Sequence, residues 1–190
     1  MKVFFGGSLP RFKSNKEDYL EIRKAILGLK HKLTRDWLDE EIKGGIKRSH
    51  CEMYELTEKA IIEADAVILE YSHDISAVGQ QLVLSLERGL PTLLLVKDSN
   101  NIENSPLSDW FVSSRHYKYL KKEKYKKKDL RKIIRNFLKW VEENKRIVRF
   151  NLELEKELDD YLKEKARQNK TSKSKEIRKL ILESIRESRT

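Results

Sequence analysis

Two short apolar runs limit the folds open to this chain more than any other feature. Ala66–Tyr71 (AVILEY) and Pro91–Val96 (PTLLLV) are almost uninterrupted, whereas a strand with one wet face would alternate apolar with polar residues. Runs of this kind belong to strands covered on both faces, the condition found in parallel sheets. A third apolar strand, Lys2–Phe5, runs into Gly6-Gly7-Ser8. Helical spacing fills the intervals. Ser14–Leu29 puts Tyr19, Ile22, Ile26 and Leu29 on one face, and Glu52–Glu63 does the same with Met53, Leu56, Ala60 and Ile61. Gln80–Arg88 is a helix that stops at Gly89, and Lys127–Asn144 carries a stripe from Leu130 to Val141. Residues 31–50 are weakly patterned, with a strand expected near Lys32–Trp37; a short edge strand is expected near Tyr117–Leu120. Strands alternating with helices predict an α/β fold on a parallel sheet. Ligands in such sheets bind past the carboxyl ends of the strands, here Gly6-Gly7-Ser8 and the loop Ser72–Gly79.

The formal net charge is +10, which favours an acidic partner without choosing among nucleic acid, a phosphorylated ligand and an anionic surface. The lysine-rich run Lys118–Lys128 could track phosphates, with Tyr117, Tyr119 and Tyr125 interleaved for stacking; the same pattern suits a solvated edge strand. No apolar run reaches the roughly 18 residues of a membrane span, and the N-terminus lacks a signal-peptide pattern, so a cytoplasmic protein without membrane partners is expected. Cys51 is alone and is expected to be an inert, partly buried thiol. His31, His50, His73 and His116 are scattered, so neither a metal site nor a cofactor is expected.

Near the C-terminus the period changes. Phe150, Leu152 and Leu154 alternate with Arg149, Asn151 and Glu153, the mark of a half-buried strand. Two helical patterns follow, one with Leu158, Tyr161, Leu162 and Ala166, the other with Ile177, Leu180, Ile181 and Ile185. About forty such residues cannot close a core alone, so the strand is expected to pair with a second copy. The boundary is placed near Asn144, giving domains 1–144 and 145–190.

This strand, helix, "TSKSKEIRKLI", helix arrangement resembles the ribbon-helix-helix DNA-binding domains of the Arc and MetJ type, which read DNA with strands. The resemblance implies a homodimer, with pairing into tetramers left open, and double-stranded DNA as partner. Arg149, Asn151 and Glu153 would face base edges, and Ser172, Lys173 and Ser174 at the second helix start would hold a phosphate. On the residues alone, a helical hairpin used only for dimerisation remains open.

The first domain resembles the nucleoside 2-deoxyribosyltransferase and deoxynucleotide N-hydrolase superfamily. Met1–Pro10, "AIIEADAVILEYS" (Ala60–Ser72) and "SAVGQQLVLSLERGLPTLLLV" (Ser76–Val96) carry the likeness. It implies a flavodoxin-like sheet. It also implies a carboxylate nucleophile and an upstream acid, but those positions hold Gln81 and Thr57. An amide cannot do the work of a carboxylate nucleophile. Glu55, Glu58 or Asp74 could stand in if the register slips. What remains is a nucleotide site implied at Gly6, Gly7, Ser8, Arg11, Ser76, Gly79 and Gln81.

Together these expectations describe a sequence-specific DNA-binding protein, a transcriptional (auto)repressor. Its first domain would sense a nucleotide-like ligand or drive oligomerisation, without catalytic residues. The alternative is a nucleoside or nucleotide N-glycosidase effector with its own DNA-binding domain. A third reading is a structural subunit that recruits another protein to DNA.

Overall fold

The computed structural model describes residues 1–44, 48–73, 76–98, 117–144 and 152–188. The chain divides into two compact units, Met1–Arg149 and Phe150–Thr190, later than the Asn144 boundary read from the sequence.

In the first unit β1 (Lys2–Gly6), β2 (Lys32–Leu33), β3 (Ala66–Glu70), β4 (Thr92–Lys97) and β5 (Leu120–Tyr125) form one sheet in the order β2-β1-β3-β4-β5. Every pairing is parallel, with Phe5 opposite Ile68, Leu69 opposite Leu94 and Leu93 opposite Lys121. Helices α1 (Phe12–Gly28), α2 (Trp37–Ile42), α3 (His50–Ile62), α4 (Ser76–Glu87) and α5 (Leu130–Asn144) complete the described part of this unit. Successive strand side chains point to opposite faces. Val3, Phe5, Ile68, Leu93 and Leu95 pack with Tyr19, Ile22 and Ile26 of α1 and with Ile134, Phe137 and Val141 of α5. Phe4, Val67, Leu69 and Leu94 pack on the other side with Ile61 of α3 and with Val78, Leu82 and Leu86 of α4. Both faces are dry, which is why the strand sequences do not alternate. Each buried aliphatic or aromatic side chain contributes roughly 1.5–3 kcal/mol by leaving water.

Four local expectations are corrected. The second strand is only Lys32–Leu33, because Asp36 caps a helix in the same stretch: its carboxylate accepts from Asp39 N at 3.4 Å and is gripped by Arg23 at 2.6 Å. The edge strand lies in the lysine run, Leu120–Tyr125, rather than at Tyr117–Leu120; Leu120 and Tyr125 are its buried anchors. The helix expected from Gln80 starts at Ser76. Cys51 is exposed rather than partly buried, on the outer side of α3.

In the second unit α6 (Lys156–Gln168) and α7 (Lys173–Glu187) pack around Leu162 and Ala166. Between them Lys170 takes a left-handed conformation, φ 49°. Its N–H donates to Arg167 O at 3.2 Å and Thr171 N–H to Ala166 O at 2.9 Å, the paired bonds that close a helix C-terminus, made here without the usual glycine. Asn169 Nδ2 donates to the buried carboxylate of Glu176 at 3.0 Å. Residues 152–155 are not in a strand, and Leu152 and Glu153 are exposed. Arg149, Phe150 and Asn151 lie outside the described residues.

Candidate functional site

The sheet order sends the chain from β1 to β2 on one side and then back to β3 on the other. The crevice at that reversal, beyond the carboxyl ends of β1 and β3, is where open α/β sheets hold ligands. A cleft of about 970 Å³ opens at the carboxyl end of β1, between α3 and α4; none of its described lining residues comes from β3. Gly6 and Gly7 form one wall, Thr57 and Tyr54 of α3 a second, and Ser76, Gly79 and Gln81 of α4 a third. Of the seven residues expected to hold a nucleotide, these five line the cleft: Gly6, Gly7, Ser76, Gly79 and Gln81. Ser8 and Arg11 do not. Ser8 is 3% exposed, and its hydroxyl accepts from Arg11 N at 3.3 Å, so it closes the turn that carries Leu9 and Pro10 into the cleft wall.

The two glycines have steric reasons. A β-carbon at Gly6 would collide with Gln81 Oε1 and stand 2.8 Å from Leu69 Cδ2. One at Gly7 would press on the Tyr19 and Trp37 rings at 3.1–3.3 Å. Those rings are held in turn. Ser8 N donates to the Tyr19 hydroxyl at 3.0 Å, and Trp37 Nε1 donates to Phe5 O at 2.8 Å. Burial pushes the Tyr19 phenol up to about 12.

Gln81 and Thr57 face the same cleft, so the two positions that lack carboxylates are spatial neighbours of one ligand volume. Gln81 Oε1 is buried and has no hydrogen-bond partner among the described residues. Thr57 Oγ1 accepts from Arg35 Nη1 at 3.3 Å. The Arg35 side chain is 10% exposed and pairs with Glu40 at 2.9 Å, and Glu40 also takes Arg48 at 2.5 Å. The Arg35 hydrogen bond, seconded by Arg48, holds the Glu40 carboxyl below its usual range. Sequence reasoning missed Arg35 and Trp37. Their stretch has no clear period, yet it follows the carboxyl end of β2, and that position was the available signal.

Helix α4 begins at Ser76, so its unbonded N–H groups belong to the turn starting there, not to Gly79-Gln80. A helix start of this kind offers N–H donors to an anion. Among the described residues the acids that line the cleft are Glu41, Glu58 and Glu87. Glu58 is paired with Arg88 at 3.5 Å. Of the stand-ins, Glu55 is not in the lining and Asp74 lies outside the described residues.

A buried polar cluster lies beside the site, at the ends of β3, β4 and β5. Glu70, 2% exposed, accepts from the Tyr125 hydroxyl at 3.1 Å and from Ser72 N at 3.2 Å, and also from Ser72 Oγ. Ser72 Oγ accepts from Lys97 N at 2.8 Å. Burial raises the Glu70 carboxyl above its ordinary value. His73 is pushed down by burial and by Arg11 and Lys97, and does not line the cleft.

In the second unit Ser172 precedes α7 and its side chain makes no capping bond. Lys173 Nζ pairs with Asp159 at 2.5 Å, and Ser174 is exposed. Among the described residues no cluster of three His, Cys, Asp or Glu could hold a metal, and no helix is long and apolar enough to cross a membrane.

Among solved structures the chain is similar to the Clostridium botulinum CMP N-glycosidase BcmB. The identity is 14%, the TM-score 0.53, and the likeness covers 72% of this chain and 99% of that one. It shows the fold: a nucleoside deoxyribosyltransferase-like α/β sheet. No family model and no curated protein matches by sequence.

Proposed function

We propose that the first unit binds a nucleoside 5′-monophosphate in the cleft between β1 and α4 without hydrolysing it. The observation that carries this reading is the convergence of Gly6, Gly7, Thr57, Ser76 and Gln81 on one volume. The glycine turn and the first turn of α4 suit a phosphate, which needs N–H donors at close approach. The Gln81 amide suits a sugar hydroxyl, since it can donate and accept. Trp37, Met53 and Tyr54 supply the apolar wall for a base. The solved neighbour's name, a CMP N-glycosidase, supports the ligand class. Cleavage of an N-glycosidic bond calls for a carboxylate at the anomeric carbon, and Gln81 and Thr57 are not carboxylates. The glycosidase alternative therefore falls to Glu41, Glu58 or Glu87 among the described residues, or to Asp74. Calorimetric titration with CMP and dCMP, paired with chromatography for free base, decides. Binding without base release is expected; release of cytosine establishes the glycosidase, and no binding to any nucleoside monophosphate ends both readings.

A second reading concerns the second unit, and one observation favours it. Leu158, Tyr161, Leu180, Ile181 and Ile185 are 41–54% exposed on two packed helices, more apolar surface than so small a unit keeps in water. A second copy with paired 149–153 segments would cover it and form a ribbon-helix-helix dimer on double-stranded DNA, as a transcriptional autorepressor. In that assembly Arg149, Asn151 and Glu153 read bases, and Ser172, Lys173 and Ser174 meet phosphate. Asn151→Ala is expected to cost roughly 1–3 kcal/mol of operator affinity in a gel shift against the chain's own upstream DNA. An unchanged footprint and affinity would remove the base-reading assignment.

A further inference from the structure

The charge of this chain is concentrated in one place. Residues 118–135 carry ten Lys or Arg against two acidic residues, a net +8, while residues 1–117 sum to −2. That stretch builds β5, a short turn and the first half of α5. On α5 the residues Leu130, Ile134, Phe137, Leu138 and Val141 are buried. Arg131, Lys132, Arg135 and Lys139 fall within an arc of about 100° on the other side of the same helix, at 3.6 residues per turn. Lys128 continues the line one turn earlier, and Lys122 stands exposed on β5, the edge strand of the sheet.

Among the described residues five of these cations stand without an acidic partner. Lys126 pairs with Asp98 at 3.4 Å, Lys127 with Glu17 at 2.7 Å, and Lys139 with Glu143 at 3.8 Å. Lys121 lies over the Trp140 ring at 4.6 Å. Lys122, Lys128, Arg131, Lys132 and Arg135 have no acidic partner among the described residues. Clustered like charges repel one another and are useful where an anion neutralises them.

The chemistry of the face selects among anionic partners. A membrane-surface helix needs a free apolar side to insert, and the apolar side of α5 is inside the core. A protein partner needs aromatic or aliphatic anchors, and among the described side chains none of the large exposed hydrophobic residues lies in 118–144. Single strands need stacking rings; among the described side chains Tyr125 is 1% exposed and bonded to Glu70, Tyr119 packs on the core beneath Lys118, and Trp140 sits under Lys121. A regular polyanion remains, and one cation or more per turn of about 5.4 Å suits closely spaced phosphates.

We propose that the outer face of α5 and the adjoining edge of β5 bind the phosphodiester backbone of duplex DNA, without reading its sequence. The surface belongs to the first unit and depends neither on the nucleotide cleft nor on the second unit's base contacts. The test uses the full chain and a duplex of about 30 base pairs of arbitrary sequence. Replacing Lys128, Arg131, Lys132 and Arg135 by Gln is expected to lower affinity at least about tenfold near 50 mM salt. The slope of log K against log salt should fall by up to about 3.6, at roughly 0.9 per phosphate contact. A control with Lys13, Lys16, Lys24 and Lys32 changed to Gln removes the same charge elsewhere and is expected to keep both values. Thermal melts followed by circular dichroism check the folding of each variant independently of the cleft; a Lys122→Gln/Arg131→Gln pair gives a milder version. The proposal is overturned if the stripe variant binds duplex like the parent, if the control loses as much, or if the stripe variant loses phosphatidylserine vesicles while keeping DNA.

Discussion

The side-chain oxygen of Gln81 lies where a β-carbon on residue 6 would have to stand, so strand β1 and helix α4 meet through a glycine and an amide. The contact sits at the floor of the cleft, and the ligand volume depends on both residues.

Gly6→Ala is therefore expected to push the Gln81 and Leu69 side chains aside. Overpacking of this kind costs about 1–3 kcal/mol. Urea unfolding should show that loss, and CMP titration of the folded variant should show binding reduced by more than the stability change explains. Normal binding by Gly6→Ala would place the ligand elsewhere.

Gln81→Glu combined with Thr57→Asp puts carboxylates at the two positions where the resemblance to the deoxyribosyltransferases implies them. Arg35, 3.3 Å from Thr57 Oγ1, would pair with the carboxylate introduced there and keep it ionised. Cytosine release from CMP or dCMP is expected from the double variant and not from the parent. An inert double variant that still binds CMP would show that the acids sit in the wrong register for chemistry.

Glu70 gives a pH dependence with a definite sign. Burial raises its carboxyl in the folded chain above the ordinary 4.5. The folded state thus holds this proton more tightly than the unfolded state. Its contribution to stability is complete below about 4.5 and is lost as pH rises through the folded value. Glu70→Gln should flatten that decline, so that denaturant midpoints of parent and variant converge at low pH and the variant leads at neutral pH. Parallel curves would remove Glu70 as the source.

Lys170 sits in left-handed backbone where a glycine would carry no penalty. Lys170→Gly is expected to stabilise the α6–α7 hairpin by about 1 kcal/mol. Thermal melts followed by circular dichroism check this. A lower midpoint would mean that the lysine side chain, not its backbone, matters there.

The parts of the fold that could be read in advance are those where burial imposes a period. β3 and β4 are apolar on both faces, and α1 and α5 repeat at helical spacing, because a dry core selects those residues; of the α3 stripe only Ala60 and Ile61 reach the core, and Leu56 is exposed. β5 was displaced because only Leu120 and Tyr125 at its ends are buried, and Lys121–Lys124 between them shows no apolar rhythm. Its strand character comes from pairing with β4, a tertiary fact. In the candidate site, the glycines and Gln81 were singled out through resemblance, and they line the cleft. Arg35 and Trp37 were not, since their roles come from groups they meet only in the fold: Thr57 and Glu40 for Arg35, and the Phe5 carbonyl for Trp37. Glu70 was hidden inside an apolar run, where the hydroxyl of Tyr125 and the Ser72 donors explain a carboxyl.

Cys51 is the single thiol of this chain, and it stands in solvent on α3 next to His50, a residue of the cleft wall. A maleimide dye would therefore attach at one place without any engineering. Placed there, the fluorophore would register occupancy of the crevice in the wild-type protein, giving a titration signal that needs neither radiolabel nor turnover.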